Sequence, residues 1–276
     1  MVNAAEPLID IHEHTHYRGR SDEDLVAHQR RIGVTMTVLL PAGSRGGLGA
    51  EVYGNESVVA LARRYPKEFV FFANELPDAP EVRAVISKYI KLGARGIGEQ
   101  KFPVACDSEP MIRIAELAQE FQVPMLLHFE HGKYNMGIER FHKMLEKFPR
   151  VNFIGHAQTW WANIGKIEDQ SVLYPKGKVV PGGLTDLMLA NYPNMFGDLS
   201  AASGLNALLR DEDHAREFLQ RHQDKLLYGT DCSDIEGRDD KCTGAECLSA
   251  VRRLAANKDI ERKILYHNAM RLLRLG

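Results

Sequence analysis

Cysteine is scarce: Cys106, Cys232, Cys242 and Cys247 are the only four in 276 residues, too few for a disulfide scaffold, and no two stand as C-x-x-C. A reducing compartment is the expectation. Excess charge is also missing. Lys+Arg 35 against Asp+Glu 37 leaves a formal net charge of −2, which gives no broad field for a nucleic-acid backbone or an anionic membrane. The expected partner is a small molecule. No apolar run approaches the roughly 18 residues that span a bilayer, and the longest, 34–40 and 123–129, are strand-sized. The first residues lack a basic n-region and an apolar h-region, so a cytoplasmic protein is expected, a signal peptide already removed being the other route to this N-terminus. No glycine-rich phosphate loop opens a helix: 43–49 has the glycines but not the Lys-Ser/Thr ending, which argues against nucleotide dependence. Linkers and internal repeats are absent too, and with 44% hydrophobic and 26% charged residues the chain 1–276 reads as a single globular domain.

What the chain has is alternation. Short β-branched and apolar runs predict strands at 8–12, 34–40, 69–73, 94–99, 124–129, 151–155, 194–199 and 225–229. Amphipathic patterns predict helices at 22–31, 56–64, 81–92, 110–121, 138–147, 184–190 and 213–222, with two more closing the chain from Glu246 and Ile260. Ser21 before Asp22, Glu23 and Asp24 has the form of an N-cap with an acidic first turn. Alternation implies parallel strands joined by crossover helices, and eight units in about 250 residues predict an α/β fold of the closed (β/α)8 TIM-barrel type. A doubly wound open sheet is the competitor. One segment breaks the rhythm: 158–183, aromatic and punctuated by Gly and Pro, is expected to be a long loop inserted after strand 6, covering a site or making a homo-oligomer contact.

The histidines fall where such a barrel would use them. His12 and His14 lie at the end of the first strand, and the period of two along a strand turns both imidazoles to one side. Asp10 shares that face and is expected to support the site from below. His128 ends the fifth strand, His156 follows the sixth and Asp231 follows the eighth. C-terminal strand ends ring one mouth of a barrel, so these five groups converge on one pocket. A lone histidine at a strand end is ordinarily a hydrogen-bonded structural residue; five such groups at the expected ends point to a shared cation. Neutral imidazoles and a carboxylate suit zinc or a similar divalent metal, with one coordination position left for water.

This pattern of H-x-H after strand one, single histidines after strands five and six and an aspartate after strand eight resembles the amidohydrolase superfamily of metal-dependent TIM barrels. The likeness is closest to its amidohydrolase-2 branch of hydrolases and decarboxylases, and it covers nearly the whole chain. It implies His12, His14 and His128 as metal ligands, Asp231 as both ligand and proton acceptor for a metal-bound water, and His156 as ligand to a second metal or polariser of the substrate. Glu99 and Lys101 share a face of the fourth strand, where some members of the superfamily use a glutamate or a carboxylated lysine as ligand. Glu99, in Gly96-Ile97-Gly98-Glu99, is preferred because a free carboxylate needs no modification. One metal or two per chain stays open, as does Zn²⁺ or Mn²⁺. The resemblance also gives His267, beside the Asn268-Ala269 pair, a structural place in the final helix.

Residues that follow the strands supply the expected substrate contacts: Arg18, Lys101, Glu130, His131, Gln158, Trp160 and Arg238, with His16, Trp161 and Ser200 as further mouth residues. Arg18, Lys101 and Arg238 suit a substrate carboxylate, Lys101 foremost because of its strand face. Trp160 and Trp161 either stack on a ligand or lie buried. Asp198 is placed to hydrogen-bond a ligating histidine. His28, His142, His214 and His222 stand among charged neighbours in amphipathic helices and are expected on solvated faces. Cys232 is expected to be a small buried thiol beneath the metal site rather than a nucleophile, and Cys242 and Cys247 have no histidine beside them in sequence.

The expected activity is that of a metal-dependent hydrolase cleaving a C–N or C–O bond (amide, ester or lactone) of a small polar molecule with a metal-activated water. The alternative is a lyase, a metal-dependent non-oxidative decarboxylase of a small carboxylic acid. A second alternative is a catalytically inert barrel acting as a binding protein.

Overall fold

A computed structural model describes residues 6–44, 51–238 and 242–275. The first five residues and most of the glycine-bearing stretch 43–49 lie outside the described residues. Eight strands follow in chain order: β1 (Ile9–Glu13), β2 (Met36–Leu39), β3 (Phe69–Phe71), β4 (Ile97–Gln100), β5 (Met125–His128), β6 (Phe153–His156), β7 (Met195–Asp198) and β8 (Leu226–Leu227). Every paired neighbour is parallel, in the orders β1-β2-β3 and β4-β5-β6-β7-β8. Two seams join these runs. Ala73 N donates to Gly96 O and Gly98 N to Ala73 O, each at 2.9 Å, while Ile11 N donates to Tyr228 O at 3.1 Å. Those bonds close the ring into a TIM barrel, as the alternation predicts.

The crossovers are α1 (Asp22–Ile32), α2 (Asn55–Arg64), α3 (Val82–Lys91), α4 (Glu109–Phe121), α5 (His142–Lys147), α6 (Gln158–Ala162), α7 (Leu184–Asn191), α8 (Ala201–Leu209), α9 (Glu212–Arg221) and α10 (Thr243–Leu254), followed by α11 (Lys258–Arg262) and α12 (Asn268–Leu273). At the start of α1, Ser21 Oγ accepts from Asp24 N at 3.1 Å, so the expected cap is present. The helix predicted over 138–147 divides into a 3-10 turn, Ile138–Arg140, and α5. Neither α6 nor α8 is predicted by the sequence pattern. Residues 163–183, between α6 and α7, contain no helix or strand.

Apolar side chains sort by strand parity. Leu126, Ile154, Phe196 and Leu227 point into the barrel with Ile9, Ile11, Val38, Leu40 and Phe72, and Ala269, Leu272 and Leu273 of α12 close that cluster. Met125, Leu127 and Phe153 point outward, into the layer shared with the helices. In β5, β6 and β7 the residue two places after the inward one is His128, His156 or Asp198, so parity delivers each into the mouth. In β1 the pairing slips between Asp10 and Glu13, and beyond the slip the mouth receives His12 and His14. Asn268 Nδ2 donates to Gln223 O at 2.7 Å and Leu226 O at 2.9 Å, which ties α12 to the barrel and leaves His267 exposed beside it.

Three expectations change. His28 and His222 are buried, not solvated: α1 is covered by the connection after β8, and His222 lies between Phe218 (ring centroids 4.7 Å) and Asp186 (2.5 Å). Trp160 takes the buried reading and not the substrate contact: it lies fully buried beneath the mouth, stacked at 5.9 Å on Phe129. No helix among the described residues is long and apolar enough to cross a membrane.

Candidate metal centre

Six predicted ligands meet at the C-terminal mouth of the barrel. His12 Nε2 lies 3.2 Å from His14 Nε2, and Glu99 Oε2 is 3.6 Å from each. Asp231 Oδ1 is 3.5 Å from His14 Nε2 and 3.9 Å from His12 Nε2, while its Oδ2 is 3.5 Å from His156 Nε2. Glu99 Oε1 reaches His128 Nδ1 at 2.5 Å and His156 Nε2 at 3.8 Å. Bonds of about 2.0–2.2 Å to one ion put neighbouring donors about 3–4 Å apart, so all these spacings suit a metal except that of His128 Nδ1 and Glu99 Oε1, which is a hydrogen bond. Three overlapping groups qualify: His12 with His14 and Glu99, His12 with His156 and Asp231, and Glu99 with His128 and His156. Glu99 belongs to two of them, its Oε2 facing His12 and His14 and its Oε1 facing His128 and His156.

The hydrogen bonds fix which nitrogens are free. Leu40 O, which can only accept, accepts a hydrogen bond from His14 Nδ1 at 2.7 Å, and Asp198 Oδ2 accepts one from His12 Nδ1 at the same distance. With both rings neutral, the two Nε2 atoms hold lone pairs that face each other at 3.2 Å. Two acceptors at that separation repel unless a positive charge lies between them, so the donor set fits a cation. The electrostatics favour positive charge at the same place, which a proton on His12 supplies when no cation does. Burial opposes a charged His12, yet Asp231 and Asp198 outweigh it and raise the imidazole well above its ordinary pKa. Burial likewise favours neutral Glu99 and Asp231, but His128 and His12 hold the first far below the usual carboxylate range and His12 and His14 hold the second there.

A scaffold of buried polar groups stands behind these donors. Asp198 also meets His156 Nδ1 at 3.1 Å and accepts Ser200 N at 2.9 Å. Asp10 accepts His12 N and Thr230 N, both at 2.9 Å, so it braces β1 against the turn after β8 as expected. Glu13 accepts Thr230 Oγ1 at 2.7 Å and Arg20 Nη2 at 2.5 Å. Gly98 has φ +139°, and a Cβ there would stand 2.6 Å from Leu126 O, so only glycine lets β4 present Glu99 at this angle. Asp231 has a left-handed backbone, φ +44°, held by its N–H donating to His12 O at 2.8 Å.

The mouth opens into a cavity of about 720 Å³ lined by His128, His156 and Asp231 together with the predicted contacts Arg18, Lys101, Glu130 and Gln158. The other three do not line it. Trp160 packs in the core beneath, His131 is exposed with its N–H on Thr159 Oγ1 at 2.7 Å, and Arg238 is exposed beside Glu236 at 3.5 Å. Sequence reading missed Tyr17, Lys133, Tyr134 and Tyr174 on the same wall. Tyr17 meets His14 edge-on at 5.3 Å and Tyr134 meets His128 at 5.5 Å, while Lys133 Nζ pairs with Glu130 at 2.6 Å. Their position after strands 1, 5 and 6 is the one signal that could have found them. Glu130 is held down to about 2 by its hydrogen bond from His128, against burial.

The family model described as Amidohydrolase matches residues 9–275. No curated protein matches the chain. Among solved structures, an uncharacterized TIM-barrel protein from Bordetella bronchiseptica shares 17% identity at TM-score 0.69, over 98% of this chain and 99% of that one. A probable 2-pyrone-4,6-dicarboxylic acid hydrolase from Acinetobacter baumannii, with citric acid bound, shares 12% at TM-score 0.63, covering 97% and 99%. A dihydroxybenzoic acid decarboxylase from Polaromonas sp. JS666, with bound manganese and 2-nitroresorcinol, shares 14% at TM-score 0.62, covering 98% and 97%.

Proposed function

The chain belongs to the amidohydrolase family, and from that premise we propose that it is a metal-dependent hydrolase cleaving a C–N or C–O bond of a small polar molecule. Amides, esters and lactones are the candidate substrates. His12, His14, Glu99, His128, His156 and Asp231 would hold one or two divalent ions, zinc foremost, with manganese suggested by the Polaromonas decarboxylase. Bound there, such an ion supplies Lewis acidity that brings the pKa of water toward neutrality and polarises a carbonyl.

The observation that carries the reading is Asp231. Its carboxylate is the most exposed of the six donors, with 13% of the side chain open, and it faces both the imidazoles and the cavity. Asp231 takes a proton from water at a carboxylate oxygen and returns it to the leaving nitrogen or oxygen. Where one ion is bound and His156 is not its ligand, Nε2–H of His156, across from Asp231 Oδ2, orients the carbonyl. Asp198 holds the rings of His12 and His156 through their Nδ1 atoms. Lys101 and Arg18, on the cavity wall, bind a substrate carboxylate. Asp231→Asn is expected to lower kcat by about 10²–10⁴-fold with the fold unchanged. Chelation should abolish hydrolysis and Zn²⁺ or Mn²⁺ restore it; hydrolysis indifferent to both treatments would defeat the mechanism.

The same cationic wall of Lys101, Arg18 and Lys133 supports a second reading, non-oxidative decarboxylation of a small carboxylic acid, as does the decarboxylase among the structural neighbours. Release of CO₂ from aromatic 2-hydroxy acids, with amides, esters and lactones untouched, would select it. Either reading takes residues 1–276 as one domain acting on a small molecule. Exposed Val172, Tyr174 and Val180 support a homo-oligomer contact through 163–183.

A further inference from the structure

A second group of metal-binding side chains lies outside the donor set described above. His28 of α1, Cys232 and Asp234 of the connection after β8, and Cys242 at the N-cap of α10 place one donor atom each within 4.8 Å of all the others. His28 Nε2 is 3.3 Å from Cys242 Sγ and 3.8 Å from Asp234 Oδ2. Tetrahedral bonds of about 2.0–2.3 Å put donors about 3.3–3.8 Å apart. His28 and Cys242 are fully buried and Cys232 is 6% exposed, so no substrate reaches a Cys242–His28 pair and a nucleophilic role is excluded.

The surroundings hold these donors in place. Arg20 Nη1 donates to Cys232 O at 2.6 Å and to Asp234 O at 3.0 Å, and Gly237 N donates to Asp234 Oδ2 at 2.6 Å. Cys242 Sγ accepts Ala245 N at 3.4 Å in the first turn of α10, which fixes the sulfur at the N-cap. Cys232 and Asp234 also line the large cavity, which gives an ion a way in. Two thiolates with an imidazole and a carboxylate are a soft, four-donor set with no position left for water, the composition of a structural rather than a catalytic zinc site.

We propose that His28, Cys232, Asp234 and Cys242 bind a structural zinc ion that clamps the β8–α10 connection onto α1. Cys232 directly follows Asp231, so the clamp fixes the left-handed backbone from which Asp231 faces the mouth. The site would be filled whatever reaction the mouth performs.

Cobalt substitution tests this, because the mouth donors are nitrogen and oxygen alone. Purified full-length chain, stripped and reloaded with Co²⁺, should show a thiolate-to-cobalt charge-transfer band in the near ultraviolet. Cys232→Ser and Cys242→Ser should each lose that band and one metal equivalent per chain, while Asp231→Asn keeps it. Elemental analysis of the unmodified protein, with peptide mapping of alkylation before and after chelation, needs no variant: Cys232 and Cys242 should become reactive only when zinc leaves. Absence of the band in the reloaded wild type, its survival in both serine variants, or isolation of folded protein with a Cys232–Cys242 disulfide would each overturn the proposal.

Discussion

At the scale of single residues, Asp198 does more than any group the mouth presents to a ligand. It is fully buried, and one carboxylate oxygen meets the Nδ1 atoms of both His12 and His156. Burial alone would raise its pKa, but the two imidazoles hold it far below the usual range, so it stays ionised and orients both rings. Asp198→Ala should weaken metal binding by about 10–100-fold, read by competition with a metal indicator. A folded variant with unchanged affinity would show that packing alone positions the rings. Gly98→Ala is expected to cost about 1–3 kcal/mol through backbone strain and to displace Glu99 as well. Thermal unfolding and activity should therefore fall together. Asp10 and Asp198 were legible in the sequence as supports, the first because it shares a strand face with His12 and the second because of its place in the seventh strand. Trp160 was not: Gly155 leaves the space that its indole fills, and that contact joins two elements.

At the scale of elements, the segment 163–183 is tied to α7, to α8 and to the start of α9. Asp211 accepts Lys178 Nζ and Val179 N, each at 2.9 Å, joining the loop to the start of α9. Those bonds, the lysine first, lower the Asp211 pKa from 3.8 to about 2. Because the folded value is the depressed one, the stabilisation is present above about pH 4 and disappears as pH falls toward about 2. Asp211→Asn should flatten the fall of Tm across that window and leave its slope near neutrality unchanged; an unaltered acid limb would show that the contact contributes nothing. Secondary structure was legible wherever periodicity was strong. In α8 the run Ala201-Ala202-Ser203-Gly204 hides the apolar stripe, and α6 is too short to show a period.

At the scale of the whole molecule, donors from β1, β4, β5, β6 and the turn after β8 make a bound ion a crosslink through most of the barrel. Binding to the folded chain alone stabilises by about 2.7 kcal/mol at a hundredfold excess over Kd. At about 2–4 °C per kcal/mol for a domain of this size, chelation should lower Tm by about 5–10 °C, reversed by adding metal back. Calorimetry that found the same Tm with and without metal would contradict a ligand set spread around the ring.

The barrel and its mouth were written in the sequence, because strand parity and strand ends are local features, and parallel alternation then forces the ends to one rim. That sufficed to bring His12, His14, His128, His156 and Asp231 together on paper, Glu99 joining them through the family resemblance, and the structure gathers all six. What only tertiary structure decided is which surface covers which. His28 and His222 look solvated from their charged neighbours, yet the connection after β8 buries one and Asp186 covers the other. The free nitrogen of each ligating ring, and the meeting of His28 with Cys242, likewise depend on groups far away along the chain, whose approach no local pattern encodes.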